Sequence, residues 1–223
     1  MQVIDFTKQP LPLRDSNRLK VLLVGIAGTS RDILLAPAVL KSYALSDHNV
    51  SVSCEIEILH RKYILPRNIV TEAEELAQQI TKIDPDLVGF STYCWNIEVV
   101  RLVCGRLRDL CPKALTLVGG PEIDGAEMVR GGYDSEPFDF IVIGEGERAF
   151  VELLHTWLTA KCLDLKQIPR LAVKTPHGFA FSGPFGTSEG LIEDLSKAPS
   201  PYLTGALPPD LLRDPRIQAK RLS

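Results

Sequence analysis

The chain has 223 residues, of which 45% are hydrophobic and 24% charged, with a formal net charge of −3. That size and balance suit a soluble globular protein of one ordinary domain plus an appendage, long enough to bury a substantial core. There is no basic block, no apolar run of the roughly 18 residues a spanning helix needs, and no signal-peptide pattern at the amino terminus. The composition therefore argues for no nucleic acid, no membrane and a cytoplasmic location. Cys54, Cys94, Cys104, Cys111 and Cys162 form no Cys-x-x-Cys pair, which favours reduced, mostly buried thiols over a structural metal site.

Residues 1–18 contain two prolines and little periodicity, and read as a lead-in arm. Lys20 to Ile26 is a continuous apolar run, as expected of a strand covered on both faces. Asp32 to Leu45 follows with helical spacing, and Pro37 places the helix start late or lies in its first turn. Val50 to Leu59 alternates strictly and predicts a strand near a sheet edge. Thr71 and Glu74 have the spacing of a capping box at the start of the next helix, which stops before Asp84-Pro85. Leu87 to Thr92 predicts a strand, and Asn96 to Leu110 the helix behind it, stopped by Pro112. Leu115 to Val118 leads to a weak helix near 125–130, and Phe140 to Ile143 to a firm helix over 147–161. Arg170 to Lys174 and Gly178 to Phe181 flank a turn and read as a β-hairpin, while the proline-rich end reads as an extended linker.

Five strands alternating with helices predict an α/β fold: a flavodoxin-like (Rossmann-like), doubly wound, five-stranded parallel sheet, then a β-hairpin and an extended C-terminal linker. The boundaries read as an arm over 1–18, an α/β domain over 19–162, hairpin and linker over 163–205, and a tail over 206–223. In such a sheet, ligands bind beyond the carboxyl ends of the strands. Three of these ends are small or glycine-rich: Ser91-Thr92-Tyr93-Cys94-Trp95-Asn96, Gly119-Gly120-Pro121-Glu122 and Gly144-Glu145-Gly146-Glu147. Glycine there lets a ligand meet bare backbone, and Trp95 adds an aromatic wall. Asn96 has the position of a helix cap, and Glu147 that of a first-turn acid. Neither the dinucleotide fingerprint nor the phosphate loop is present. His48, His60, His155 and His177 have no ligand or triad spacing and read as surface or satisfied residues, and no catalytic constellation is found.

Taken in order, Val21 to Val24, Val88 to Glu98, Val118 to Glu122 and Gly144 to Glu147 resemble the N-terminal cobalamin-binding domain of cobalamin-dependent radical S-adenosylmethionine (SAM) enzymes. Ile168 to Val173 and Leu195 to Tyr202 look like the segment that leads such domains into their barrel. The resemblance spans roughly residues 19–205 and implies a corrinoid over the carboxyl edge, its nucleotide tail descending into the domain. By position it implies cofactor contacts from Ser91, Thr92, Tyr93, Trp95, Asn96, Gly119, Gly120, Pro121, Glu122, Gly144, Glu145 and Gly146. The loop Ala27 to Asp32 lacks the Asp-x-His-x-x-Gly run that supplies a lower histidine ligand elsewhere, and no Cys-x-x-x-Cys-x-x-Cys run offers iron–sulfur ligands. The implied function is a cobalamin-binding module serving a radical SAM domain or subunit in methyl transfer or rearrangement, not catalytic alone. The alternatives are a cofactor-free interaction or scaffold domain and, less favoured, a stand-alone enzyme on the same sheet.

Overall fold

The structure is a computed structural model that describes residues 4–5, 18–29, 35–61, 68–159, 162–163, 168–181 and 190–207. Its elements are β1 (Ile4–Asp5), β2 (Leu19–Ile26), α1 (Ala36–Ser46), α2 (His48–Ser53), β3 (Cys54–Arg61), α3 (Ile69–Ile83), β4 (Leu87–Ser91) and α4 (Ile97–Leu110). There follow β5 (Leu115–Gly119), α5 (Gly125–Val129), β6 (Phe140–Val142), α6 (Glu147–Thr159), β7 (Cys162–Leu163), β8 (Leu171–Thr175) and β9 (Gly178–Phe181).

The main sheet has seven strands in the order β3-β2-β4-β5-β6-β8-β9. From β3 to β6 every pairing is parallel, which is the doubly wound arrangement expected of these apolar runs. The hairpin β8–β9 does not stand apart. It extends the same sheet, with β8 antiparallel to β6 and β9 antiparallel to β8. In the arm, β1 pairs with β7 as a separate two-stranded sheet.

Strand alternation divides the core in two. Leu22, Val24, Val88, Phe90, Val118 and Ile141 face one way, against the buried sides of α3 and α4. Leu19, Val21, Leu23, Leu87, Leu117, Phe140 and Val142 face the other way, against Ala44 of α1, Val50 of α2 and the α6 residues Phe150, Leu153, Leu154 and Trp157. Because β2 lies between β3 and β4, the chain runs to opposite sides of β2 in succession. The loops after β2 and β4 therefore part at the carboxyl edge, the usual location of a binding crevice.

Three local expectations give way to specific interactions. The strand read from Val50 begins only at Cys54, because residues 48–53 form α2. The Asp47 carboxylate accepts from Val50 N at 3.0 Å, and this cap turns Val50 inward as a helical rather than a strand residue. The capping box at Thr71 and Glu74 is not made: α3 starts at Ile69, and the Glu74 carboxylate instead takes Arg106 of α4 at 2.6 Å and Gln78 at 3.0 Å. Residues 208–223 of the tail lie outside the described residues. The described part of the proline-rich end, residues 190–207, is turned rather than extended. It carries a 3-10 turn at Leu195–Lys197 and lies on α1, where Ser42 Oγ donates to Pro199 O and shares a hydrogen bond with Thr204 Oγ1. Ala206 and Leu207 pack there on Ala38. Pro37 falls at the first turn of α1, where its missing N–H is harmless. No helix among the described residues is long and apolar enough to cross a membrane.

Candidate functional site

A cavity of about 230 Å³ opens at the carboxyl ends of β4, β5 and β6, between the sheet and helices α1 and α6. Leu23, Gly89 and Leu117 form its floor, Pro37 and Leu40 of α1 one wall, and Gly146, Glu147 and Phe150 the α6 side. Ser91, Tyr93, Gly119, Gly120, Pro121, Gly144 and Glu145 surround the mouth. The space exists because the strands present small residues towards this helical layer. Register sets Gly25 beside Ser91, Ser91 beside Gly119 and Gly119 beside Val142 in one row across the edge. One row deeper, a Cβ on Gly89 would lie 2.8 Å from Leu23 Cδ2.

Of the residues proposed from sequence, the cavity brings together Ser91, Tyr93, Gly119, Gly120, Pro121, Gly144, Glu145 and Gly146. Thr92, Asn96, Glu122 and Trp95 do not line it. Thr92 is fully buried and ties two strand ends, its backbone N donating to Gly119 O at 2.7 Å and its Oγ1 to the same oxygen at 3.0 Å. Asn96 is also fully buried and is no side-chain helix cap. Its Oδ1 accepts from Tyr93 N at 2.8 Å, while its Nδ2 donates to Ser91 O at 3.0 Å and Ile26 O at 3.3 Å. It thereby joins β2, β4 and the rim loop. Glu122 contributes backbone, its N–H donating to Thr92 O at 3.4 Å and its carbonyl accepting from Tyr133 Oη at 3.4 Å. Gly120 adopts φ +123°, and a Cβ there would lie 2.5 Å from Thr92 O. This glycine is required first by the packing of one rim loop on another.

Trp95 stands on the rim, 43% exposed, over Gly28 of the loop after β2. Its Nε1 donates to Ile26 O at 3.2 Å, and its ring stacks on Tyr93 with centroids 4.4 Å apart and planes within 9°. The pair makes a flat apolar platform at the edge where the loops part. Among the described residues, the cavity lining includes no lysine, arginine or histidine, and its carboxylates are Glu145 and Glu147.

Sequence reading missed Leu23, Pro37, Leu40, Gly89, Leu117, Glu147 and Phe150 as lining residues. Gly89 had a legible signal, since it shares a strand face with Ser91 two residues on. The α1 and α6 residues had none, because only tertiary packing sets a helix face opposite a strand end. His60, read as surface or satisfied, keeps a buried Nε2 without a hydrogen-bond partner, and burial pushes its pKa below the usual imidazole range. His155 fits the earlier reading, its Nε2 lying 2.8 Å from Asp47 Oδ1.

Most of this rim lies within residues 45–154. Over those residues the chain matches the profile of the B12 binding domain family. It is 26% identical over 174 residues to the cobalamin-dependent radical SAM methyltransferase TokK of Streptomyces tokunonensis, covering 78% of this chain and 23% of that protein. It is 31% identical over 200 residues to the 2-(S-pantetheinyl)-carbapenam-3-carboxylate methyltransferase of Streptantibioticus cattleyicolor, covering 88% of this chain and 26% of that protein. The chain thus spans about a quarter of the length of these curated relatives. Among solved structures, the cobalamin-dependent S-adenosylmethionine radical enzyme OxsB with aqua-cobalamin bound superposes with a TM-score of 0.50 at 14% identity, covering 91% of this chain and 30% of that one. The same enzyme with aqua-cobalamin and S-adenosylmethionine gives 0.50 at 15% identity, covering 85% and 25%. These likenesses show the fold, and the profile match assigns the domain.

The residues of the B12 binding domain fit a corrinoid. The cavity is smaller than the roughly 300–1,000 Å³ pockets that enclose whole small ligands. A cavity of that size can take one part of a large molecule, and glycine backbones and the flat Tyr93–Trp95 pair lie at its edge.

Proposed function

We propose that this chain holds cobalamin with its nucleotide tail in the cavity and its corrin ring over the rim, and presents it to a radical SAM domain or subunit. Ser91, Tyr93, Gly119, Gly120, Pro121, Gly144, Glu145 and Gly146 surround the tail entrance. Trp95 contributes the flat rim surface, while Thr92, Asn96 and the backbone of Glu122 hold the loops in register. The single observation that carries this reading is the glycine-edged cavity at the carboxyl ends of β4, β5 and β6, inside the B12 binding domain. When bound, cobalamin supplies a cobalt centre that can carry a methyl group.

The two curated relatives are methyltransferases by name, which favours methyl transfer over rearrangement. The boundaries we propose are a cobalamin-binding unit over 19–162 and a connecting hairpin and strap over 163–205, in a cytoplasmic protein. The test is to load the purified chain with hydroxocobalamin, desalt it and record the visible spectrum. Retained corrinoid absorption in a compact species supports the reading. A folded but colourless protein overturns it and leaves an interaction domain that has kept the fold without the cofactor.

A further inference from the structure

Arg170 holds a backbone conformation that a side chain disfavours, and it does so beside the third rim loop. Leu171 N donates to Ile168 O at 3.4 Å, which closes a turn with Pro169 second and Arg170 third. Arg170 takes φ +70°, the left-handed region that glycine normally supplies at the third position of a proline-led turn. An arginine there strains the backbone and persists only where surrounding contacts demand it. Two of those contacts fall on one residue. The Arg170 carbonyl accepts from Ile143 N at 3.0 Å, and its Nη1 donates to Ile143 O at 3.2 Å. Ile143 follows the last residue of β6 and is buried, so the guanidinium keeps its carbonyl paired where the strand ladder stops. The same nitrogen lies against Gly144, where a Cβ would meet it at 2.5 Å. The stem of the side chain packs on the strap, and a Cβ on Gly190 would lie 3.2 Å from Arg170 Cδ.

We propose that Arg170 is a positioning residue for the cofactor: its guanidinium fixes the start of the Gly144-Glu145-Gly146 loop, so that the loop meets a corrinoid already in place. This assignment rests on the corrinoid reading above. Gly144, Glu145 and Gly146 line the cavity and Arg170 does not, so it acts through the loop. Two glycines in three residues leave that loop free to take many conformations, and Gly144 itself sits at φ +76°. Freedom given up at binding weakens affinity, whereas a loop fixed beforehand avoids that loss. Support of the fold alone does not explain the choice of residue. Glycine would close the same turn without strain and would keep the bond from Ile143 N to the carbonyl. It could not supply the donor to Ile143 O or the cover over Gly144.

The test compares the wild-type chain with Arg170→Gly and Arg170→Asn. Both replacements suit a positive φ, and neither reaches Ile143 O with a cationic donor. Dissociation constants for hydroxocobalamin are read from tryptophan fluorescence quenching, and the stability of the cofactor-free chain from its urea midpoint. Both variants should bind hydroxocobalamin about 3- to 30-fold more weakly, as expected for loss of one hydrogen bond from a charged donor at a partly exposed site. Both should unfold at the wild-type midpoint or above it, because the strain at residue 170 is relieved. Wild-type affinity in the asparagine variant overturns the assignment, since any loss in the glycine variant then reflects added backbone freedom. Wild-type affinity in the glycine variant overturns it directly. A midpoint below wild type in either variant also overturns it, because the guanidinium then serves the fold. A wild-type chain that does not bind hydroxocobalamin overturns the corrinoid reading and this assignment with it, a result distinct from variants that bind like the wild type.

Discussion

Asn96 offers the sharpest test of how the rim is built. Its amide makes three hydrogen bonds in a site closed to solvent: from Tyr93 N, to Ser91 O and to Ile26 O. Ile26 O also accepts from Trp95 Nε1, so that carbonyl survives truncation. The bond to Ser91 O and the partner of Tyr93 N have no substitute among the described contacts. One lost net bond together with one orphaned donor gives about 2–4 kcal/mol for Asn96→Ala. Asn96→Asp distinguishes two explanations. At a helix cap, aspartate serves about as well as asparagine. At this tie it keeps the acceptor for Tyr93 N but sets a carboxylate oxygen against two carbonyls, so it should destabilise at least as much as alanine. Urea unfolding at neutral pH, followed by circular dichroism, measures both variants. An aspartate variant within about 0.5 kcal/mol of wild type would refute the buried-tie account, since surface-like substitutions fall in that range.

Ser91→Leu adds bulk at the cavity mouth and should weaken hydroxocobalamin about 5- to 150-fold, the equivalent of 1–3 kcal/mol of overpacking, while the apo chain unfolds at nearly unchanged denaturant. Unaltered affinity would place the tail elsewhere. Cys94 is exposed between Tyr93 and Trp95, whereas burial pushes the Cys54 thiol up to about 11 and that of Cys104 well above its usual range. Iodoacetamide at neutral pH should therefore modify Cys94 and spare Cys54 and Cys104, and prior loading with hydroxocobalamin should slow the reaction at Cys94. Equal labelling with and without the corrinoid would remove Cys94 from the covered rim. Burial alone would raise the Asp47 pKa, but the hydrogen bonds from His155 and Val50 N outweigh it and hold it below 3.8. Asp47→Ala should therefore cost about 0.5–2 kcal/mol near neutral pH. That difference should vanish as pH falls below 3.8 and through the lowered folded value, because protonation removes the same interactions from the wild type. A pH-independent difference across that acid range would refute the assignment.

The sequence by itself determined the parallel sheet and the place of its working edge. Runs such as Leu87 to Ser91 and Leu115 to Gly119 are predominantly apolar, as expected of a strand whose two faces are both covered by helices. Their small ends mark where backbone can be approached, and Gly119, Gly120, Gly144 and Gly146 do surround the cavity. Short-range chemistry was less legible wherever a distant partner competes. Glu74 has the spacing to cap its own helix, yet the guanidinium of Arg106 on the neighbouring helix takes its carboxylate. Val50 continues an alternating pattern, yet the Asp47 cap folds it into a helical turn.

Only the tertiary structure decided which rim residues face the cavity and which hold the rim together. Thr92 and Asn96 lie among the rim residues in sequence, but strand register and the side-by-side pairing of β2 with β4 and β4 with β5 turn their side chains into buried ties between strand ends and loops. The helices supply Pro37, Leu40 and Phe150 to the walls, residues whose types are those of any core. Glu147 shows the same division: its type and spacing suit a first-turn acid, and its unpaired buried oxygen is visible only once α6 is laid against the sheet. Local sequence encodes periodicity and backbone freedom, whereas the facing of side chains across a crevice depends on how separate elements pack.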